Sequence, residues 1–448
     1  MTSPLLTDLY QLNMVQTYFE ENKTAPAVFE FFVRHLPPGR NFLIAAGLEQ
    51  AVEFLEALSF SDEDCAWLGQ TGRFSSAFID RLRHLRFTGA VDAMPEGTPF
   101  FPDEPILRVI APLPEAQIVE TRLINILHFQ SLIASKAARI VLAAAGKQLV
   151  DFGLRRAHGS DAGVMAARAA YLAGFTGTAT VLAQKAFGIP LFGTMAHSFV
   201  QAYDSEIEAF RAFAHSHPKG VVLLIDTYDT EAAARATVQI ASELFEAGIE
   251  ITGVRLDSGD LLGLSRSVRN ILDDGGLAKT TIFASGGLDE WEIRRLVAAG
   301  APIDGFGVGT SLTTSADAPA LDCAYKLQEY AGIARRKQSA GKATWPGRKQ
   351  VWRRSGPDGV STGDVVSTED DRHSGEMLLR PIMRDGKRVT GALPALSEIR
   401  ERTARQFRQL PPALRSLEPG SAFPVTIAPR LEQLAVEVDR RLAARAEG

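Results

Sequence analysis

The chain has 448 residues, too many for one small core, so two or three domains are expected. Hydrophobic residues make up 46% and charged residues 23%, and a net charge of −5 argues against a nucleic-acid or anionic-membrane partner. Only two cysteines occur, Cys65 and Cys323, far apart and without metal-type spacing, which predicts a reduced, cytoplasmic protein with no disulfide framework.

The opening Met1–Asp8 lacks the basic and apolar regions of a signal peptide, and no stretch approaches the roughly eighteen charge-free apolar residues of a membrane span. Residues 1–22 read as a helix, with Asp8 able to cap and Leu9, Leu12, Met14 and Tyr18 near helical spacing. Ala27–Arg34, rich in Val and Phe, reads as a strand, followed by helical stretches near 45–58 and 73–84. Val91–Pro112 holds two Pro/Gly-punctuated turns between short apolar runs, a small β-rich unit, and a long helix is expected over about 114–145.

From Gln148 the rhythm changes. Short apolar runs recur at 149–152, 174–177, 189–193, 221–225, 251–256, 281–284 and 303–308, with an eighth candidate at 324–330. Helical stretches separate most of them, so a parallel sheet of βαβ units is expected, and the tight spacing favours a compact, irregular (β/α) barrel over an open sheet. Beyond 331 the chain is basic from Arg335 to Arg354 and then helical at about 397–409 and 429–445. The basic stretch is read as a strand–turn–strand unit rather than a nucleic-acid patch. No internal repeat or low-complexity tract is found.

Functional groups of barrels gather at the carboxyl ends of the strands. Here those ends carry Asp151-Phe-Gly-Leu-Arg155-Arg156, Gly193-Thr194-Met-Ala-His197, Asp226-Thr-Tyr-Asp229, Arg255-Leu-Asp257-Ser-Gly-Asp260, Ser285-Gly286-Gly287 and Gly307-Val-Gly309-Thr310. The last two are small-residue turns that let backbone N–H groups approach an anion, which points to phosphate rather than to tight turns alone. Arg255 and Asp257, two apart on a strand, face the same side. With Asp260 and Arg155 they suit a phosphosugar, although a surface ion pair is the plainer reading of Arg-x-Asp. His197 is the expected working centre, with Asp226 orienting its ring; a lone histidine is more often structural, but its strand-end context favours chemistry. No Cys or second His lies near it to make a protein metal site, and His215 and His217 read as surface residues.

Taken together with Leu6-Thr-Asp-Leu-Tyr10-Gln and Gly341-Lys-Ala-Thr-Trp-Pro-Gly-Arg-Lys-Gln350, this set closely resembles the nicotinate phosphoribosyltransferase family, in order along the whole chain. The resemblance implies the irregular α/β barrel of type II phosphoribosyltransferases over 136–330. It also implies a second α+β domain built from 1–135, including the linking helix, and 331–448. It implies an enzyme joining nicotinate to phosphoribosyl pyrophosphate, with ATP as co-substrate and Mg²⁺, through a phosphohistidine at His197 assisted by Asp226. Phe152 would stack on the pyridine ring, Thr194 would approach its carboxylate, and Arg255 with Tyr10 would complete the pocket, Tyr10 coming from the partner in a homodimer whose sites lie at the interface. Arg155, Asp257, Ser285, Gly287, Gly309 and Thr310 would hold phosphoribosyl pyrophosphate.

The relative that uses nicotinamide has an Asp in the turn matching Gly177-Thr178-Ala179-Thr180; Ala179 leaves that surface neutral and favours the nicotinate anion. Two other readings are weighed. A quinolinate enzyme would need further cations and has no use for His197 or ATP. A non-catalytic nucleotide sensor is disfavoured by the intact set of His197, Asp226, Arg255 and Asp257. Labelling of the protein by γ-labelled ATP separates them.

Overall fold

The computed structural model describes residues 3–339 and 341–446; Met1 and Thr2 of the expected opening helix lie outside these, as do Ala340, Glu447 and Gly448. The chain divides into two compact units, 135–319 and the combination of 1–134 with 320–448.

The 135–319 unit is built on six strands: β1 Gln148–Asp151, β2 Gly177–Thr178, β3 Val221–Leu224, β4 Ile251–Leu256, β5 Thr281–Ala284 and β6 Gly305–Val308. All neighbours are parallel, in the order β2-β1-β6-β5-β4-β3. Helices follow most strands, among them Ser160–Ala173, Thr230–Glu246, Leu261–Asp274 and Glu290–Ala298. The strands are buried along nearly their whole length, as expected of a parallel sheet covered by helices.

The run at 189–193 is not a ladder strand. It contributes a single parallel bridge, Leu191 to Thr178, on the β2 side. On the other side the Thr194 hydroxyl donates to the carbonyl of Val222 in β3. The ring therefore closes, but through one bridge and one side chain, which is why the barrel is irregular. Pro190 limits the pairing on the β2 side, where its carbonyl accepts from Thr178 N–H but it has no N–H to extend a ladder.

The expected eighth barrel strand is a correction. Cys323–Tyr330 pairs antiparallel with Pro26–Val33 in the other unit, so the barrel unit ends near 319 rather than at 330. A short β-rich run announces a strand but not its pairing partner, and here the partner lies almost three hundred residues away.

The 1–134/320–448 unit holds a seven-stranded antiparallel sheet in which Pro26–Val33 lies between Cys323–Tyr330 and Leu107–Pro112 and is buried at every residue from Ala27 to Val33. The opening helix runs Leu9–Glu20, capped by Asp8 and Gln11. The 91–112 unit forms three short strands, Ala90–Ala93, Pro99–Phe100 and Leu107–Pro112. A helix at Asp62–Gln70 was not anticipated, although Ser61 and Asp64 form its capping box. The basic stretch, read above as a strand–turn–strand unit in itself, contributes the strand Lys349–Ser355, whose partner Ser361–Thr368 lies beyond it. Three of its cations are paired within the unit: Lys349 meets Glu30 at 2.7 Å, Arg348 meets Glu329 at 2.9 Å and Arg353 meets Asp364 at 2.6 Å. Cys65 and Cys323 are free thiols.

The long helix is Glu120–Ala144, with the unit boundary inside it. It is the one described helix long and apolar enough to cross a membrane, and 78% of its apolar window is buried inside the protein.

Candidate active site

The carboxyl ends of β1, β4, β5 and β6 surround a cavity of about 440 Å³ whose walls include Phe152, Arg155, Asp257, Ser285, Gly287 and Thr310. The strand-end residues singled out from the sequence are thus largely brought together. Gly286, Gly307 and Gly309 supply backbone wall. Gly286 has no alternative residue: its φ is +91°, and an added Cβ would fall 1.8 Å from the Asp257 carbonyl oxygen. Its backbone therefore presses directly on the end of β4.

Asp257 is the hub. Its Oδ1 accepts from the hydroxyl of Ser285, itself 2% exposed, and its Oδ2 lies 3.9 Å from Nε2 of His197. His197 is the first residue of the short helix His197–Gln201, with 39% of its side chain exposed. Its Nδ1 lies 3.2 Å from Oγ1 of Thr227. A hydroxyl at Nδ1 fixes the ring plane and leaves Nε2 as the nitrogen directed toward Asp257.

This corrects the expected His197–Asp226 pair. Asp226 turns the other way: its Oδ2 accepts from the backbone N–H of Asp257 at 2.9 Å and from the hydroxyl of Ser258 at 2.6 Å. Adjacent residues at a strand end point to opposite sides, so with Asp226 aimed at β4 it is Thr227 that reaches the histidine. The remaining oxygen of Asp226, Oδ1, is buried without a hydrogen-bond partner.

Arg255 stands beside these carboxylates with its guanidinium carbon 6.0 Å from the Phe152 ring centre. Burial weakens its hold on its proton, Arg155 adds to that, and Asp257 with Asp226 oppose it. Its Nε is also buried without a hydrogen-bond partner, so the cation has unspent donor capacity at the site. Phe152 is half-buried against Phe283, ring centres 5.9 Å apart, leaving one face toward the cavity it lines. Arg155 is exposed at the cavity mouth on the single turn Leu154–Arg156.

Two expected residues, Thr194 and Asp260, are placed differently from the reading above, and Tyr10 lies on the unit expected for it. Thr194 gives its hydroxyl proton to Val222, and an oxygen left with only lone pairs suits a carboxylate poorly. Asp260 caps the helix Leu261–Asp274 by accepting from Leu262 N–H at 3.2 Å, so it is a structural cap. Tyr10 belongs to the other unit, 48% exposed on Leu9–Glu20. His215 is exposed and His217 stacks on Phe213, consistent with surface roles.

Asp151, Thr227 and Ser258 are site-forming residues that sequence reasoning did not select. Asp151 is 1% exposed, and its carboxylate accepts from Gly153 N–H at 2.8 Å and from the Thr178 hydroxyl at 2.7 Å. Burial outweighs both bonds and pushes its pKa up to about 6.

Among the described residues no cluster of three or more His, Cys, Asp or Glu side chains forms a metal site. A magnesium ion shared with substrate phosphates needs only one or two protein carboxylates. The buried, unpartnered Oδ1 of Asp226 next to Asp257 fits that requirement.

The comparisons with known proteins bear on this geometry. Residues 5–128 match the nicotinate phosphoribosyltransferase N-terminal domain, 147–340 the nicotinate phosphoribosyltransferase family, and 372–435 the corresponding C-terminal domain. Nicotinate phosphoribosyltransferase pncB2 of Mycobacterium tuberculosis is 51% identical over 428 residues, covering 95% of this chain and 92% of that one. The Bacillus subtilis nicotinate phosphoribosyltransferase is 43% identical, covering 84% and 78%. The crystal structure of human nicotinic acid phosphoribosyltransferase superposes with a TM-score of 0.87 at 29% identity, over 96% of this chain and 99% of that one. With its irregular type II barrel and these matches along nearly its whole length, the chain belongs to the nicotinate phosphoribosyltransferase family.

Proposed function

We propose that the protein joins nicotinate to phosphoribosyl pyrophosphate, releasing pyrophosphate and nicotinate mononucleotide for NAD synthesis, and that it couples this to ATP hydrolysis through phosphorylation of His197. One observation carries the reading: the histidine and the anion cavity share Asp257, which meets Nε2 of His197 on one oxygen and Ser285 of the phosphate turn on the other.

In the transfer, the nicotinate ring nitrogen attacks the anomeric carbon as the bond to pyrophosphate breaks, so positive charge grows on the ribose and negative charge on the leaving group. The nitrogen's lone pair needs no general base. Phe152 and Arg255 provide a flat apolar face and a cation for an aromatic carboxylate. The backbone of the 285–287 and 309–310 turns, with Arg155 at the mouth, provides fixed donors for phosphate. Asp226 and Asp257 would hold Mg²⁺, which when bound supplies positive charge against the pyrophosphate oxygens.

Nε2 of His197 is the phosphoryl acceptor in this scheme, since Nδ1 is held at Thr227. A phosphoryl group there brings about two negative charges beside Asp257 and alters the electrostatics of the cavity wall. Tyr10, exposed on its own unit, is read as entering the pocket of a second copy in a homodimer, and the two free cysteines fit a cytoplasmic protein.

Incubation with γ-labelled ATP is expected to place acid-labile, base-stable label on the protein, and His197→Ala is expected to abolish the label and the ATP stimulation of mononucleotide formation. Unchanged labelling and coupling in that variant would remove the histidine from the mechanism.

A further inference from the structure

Lys136 sits on the helix Glu120–Ala144 with a side chain only 2% exposed, among Ile133, Ala137 and Ile140, each fully buried. A charge at such a position is expensive unless paired, and a Leu or Met would serve packing as well. Its Nζ lies 2.5 Å from Oε2 of Glu290 and 2.7 Å from Oδ1 of Asp317. Arg139, one turn further along the helix, meets the other oxygen of Glu290 at 2.9 Å. Glu290 is itself fully buried; burial works to raise its pKa, but Lys136 and Arg139 outweigh this and hold it ionised below the ordinary range.

The two carboxylates lie just behind different walls of the cavity. Glu290 opens the helix Glu290–Ala298, which Asp289 caps directly after the turn Ser285-Gly286-Gly287-Leu288. Asp317 follows the other turn, Gly309 to Ala316, and is displayed by a tight bend in which Ser315 has φ +43° and its hydroxyl donates to Ala318. Residues of both turns line the cavity.

The geometry points to Lys136 as a positioning residue that fixes the spacing between the two phosphate-binding turns by gripping the segment behind each. It touches no substrate. That the anion is a ribose phosphate rests on the transferase reading above; the clamp itself rests on the ion pairs. The selective consequence is that loosening it weakens the anion end and leaves the pyridine end, built on Phe152 and Arg255, as it was.

Asp317→Asn tests this most cleanly, because the side chain is 34% exposed and its loss leaves the buried Lys136–Glu290 contact intact. Lys136→Met is the stronger perturbation and is paired with it in case that variant does not fold. Ribose 5-phosphate binding by calorimetry is expected to weaken about tenfold in Asp317→Asn, with KM for phosphoribosyl pyrophosphate rising in parallel and KM for nicotinate staying within twofold. Asp317→Glu, which keeps the charge, should restore most of the affinity. Unchanged ribose 5-phosphate affinity in Asp317→Asn, or an equal rise of both KM values, overturns the proposal. So does wild-type protein that fails to bind ribose 5-phosphate at millimolar concentration. Wild-type protein that binds it but forms no mononucleotide sinks the transferase reading alone.

Discussion

Asp151 makes the stability of the barrel unit depend on pH in a direction opposite to that of most carboxylates. Two hydrogen bonds favour its charged form, yet burial wins and lifts its pKa from 3.8 to about 6. The native state therefore holds this proton more tightly than the unfolded chain does. Its contribution is fully present below about pH 4 and is lost as pH rises through about 6. At 1.36 kcal/mol per pH unit the rise corresponds to about 3 kcal/mol. Asp151→Asn removes the titration while keeping the contacts, since the amide oxygen can accept from Gly153 and the amide N–H₂ can donate to a rotated Thr178 hydroxyl. The assay is thermal unfolding of the two proteins at pH 4, 5, 6 and 7.5. The difference in Tm, variant minus wild type, should grow by about 5 °C or more across that range, given roughly 2–4 °C per kcal/mol for a unit of this size. A difference that stays flat refutes the argument and means that the two hydrogen bonds offset burial, and one that falls as pH rises means that they outweigh it.

Other predictions follow from the same geometry. Gly286→Ala forces a methyl group onto the Asp257 carbonyl at a left-handed φ; a drop in Tm and a loss of at least about 100-fold in kcat/KM (roughly 3 kcal/mol) are expected, and wild-type kinetics would show that the turn can shift freely. Asp226→Asn should cost about 1.5–3 kcal/mol of support to the β4 end and raise the Mg²⁺ concentration needed for half-maximal rate, whereas an unchanged Mg²⁺ dependence would remove it as a ligand. Ala179→Asp puts a carboxylate at the exposed end of β2 and should raise KM for nicotinate about tenfold or more, with nicotinamide less affected; equal effects on both would show that the position does not face the ring.

The parts of the molecule most legible in the sequence are those set by local rules. Runs such as Ile251–Leu256, ending in Asp, Ser or Gly, announced strands, and Arg255 with Asp257 could be put on one face by the two-residue period alone. The capping role of Asp260 was missed, the sequence reading having given that carboxylate to the phosphosugar, although an Asp before an amphipathic Leu-Leu-Gly-Leu run is a helix start. Choosing between Asp226 and Thr227 as the partner of His197 was not legible, since it depends on which way one strand end is rotated relative to the next. Pairing of Cys323–Tyr330 with a strand near the opposite end of the chain was equally beyond reach. Lys136 was invisible for a related reason: a charged residue inside an apolar pattern shows its purpose only when packing reveals what it faces.

The irregular closure of the barrel carries a mechanical consequence. Around most of the ring, backbone ladders must break together before a strand can leave its place. Between Leu191 and Val222 the connection is a single hydroxyl, that of Thr194, worth on the order of 1 kcal/mol. This is the seam of the cylinder, and it lies three residues before His197. With so little pairing to break, the amides of the stretch leading to the histidine are expected to exchange with solvent hydrogen well before those of β1, β5 and β6.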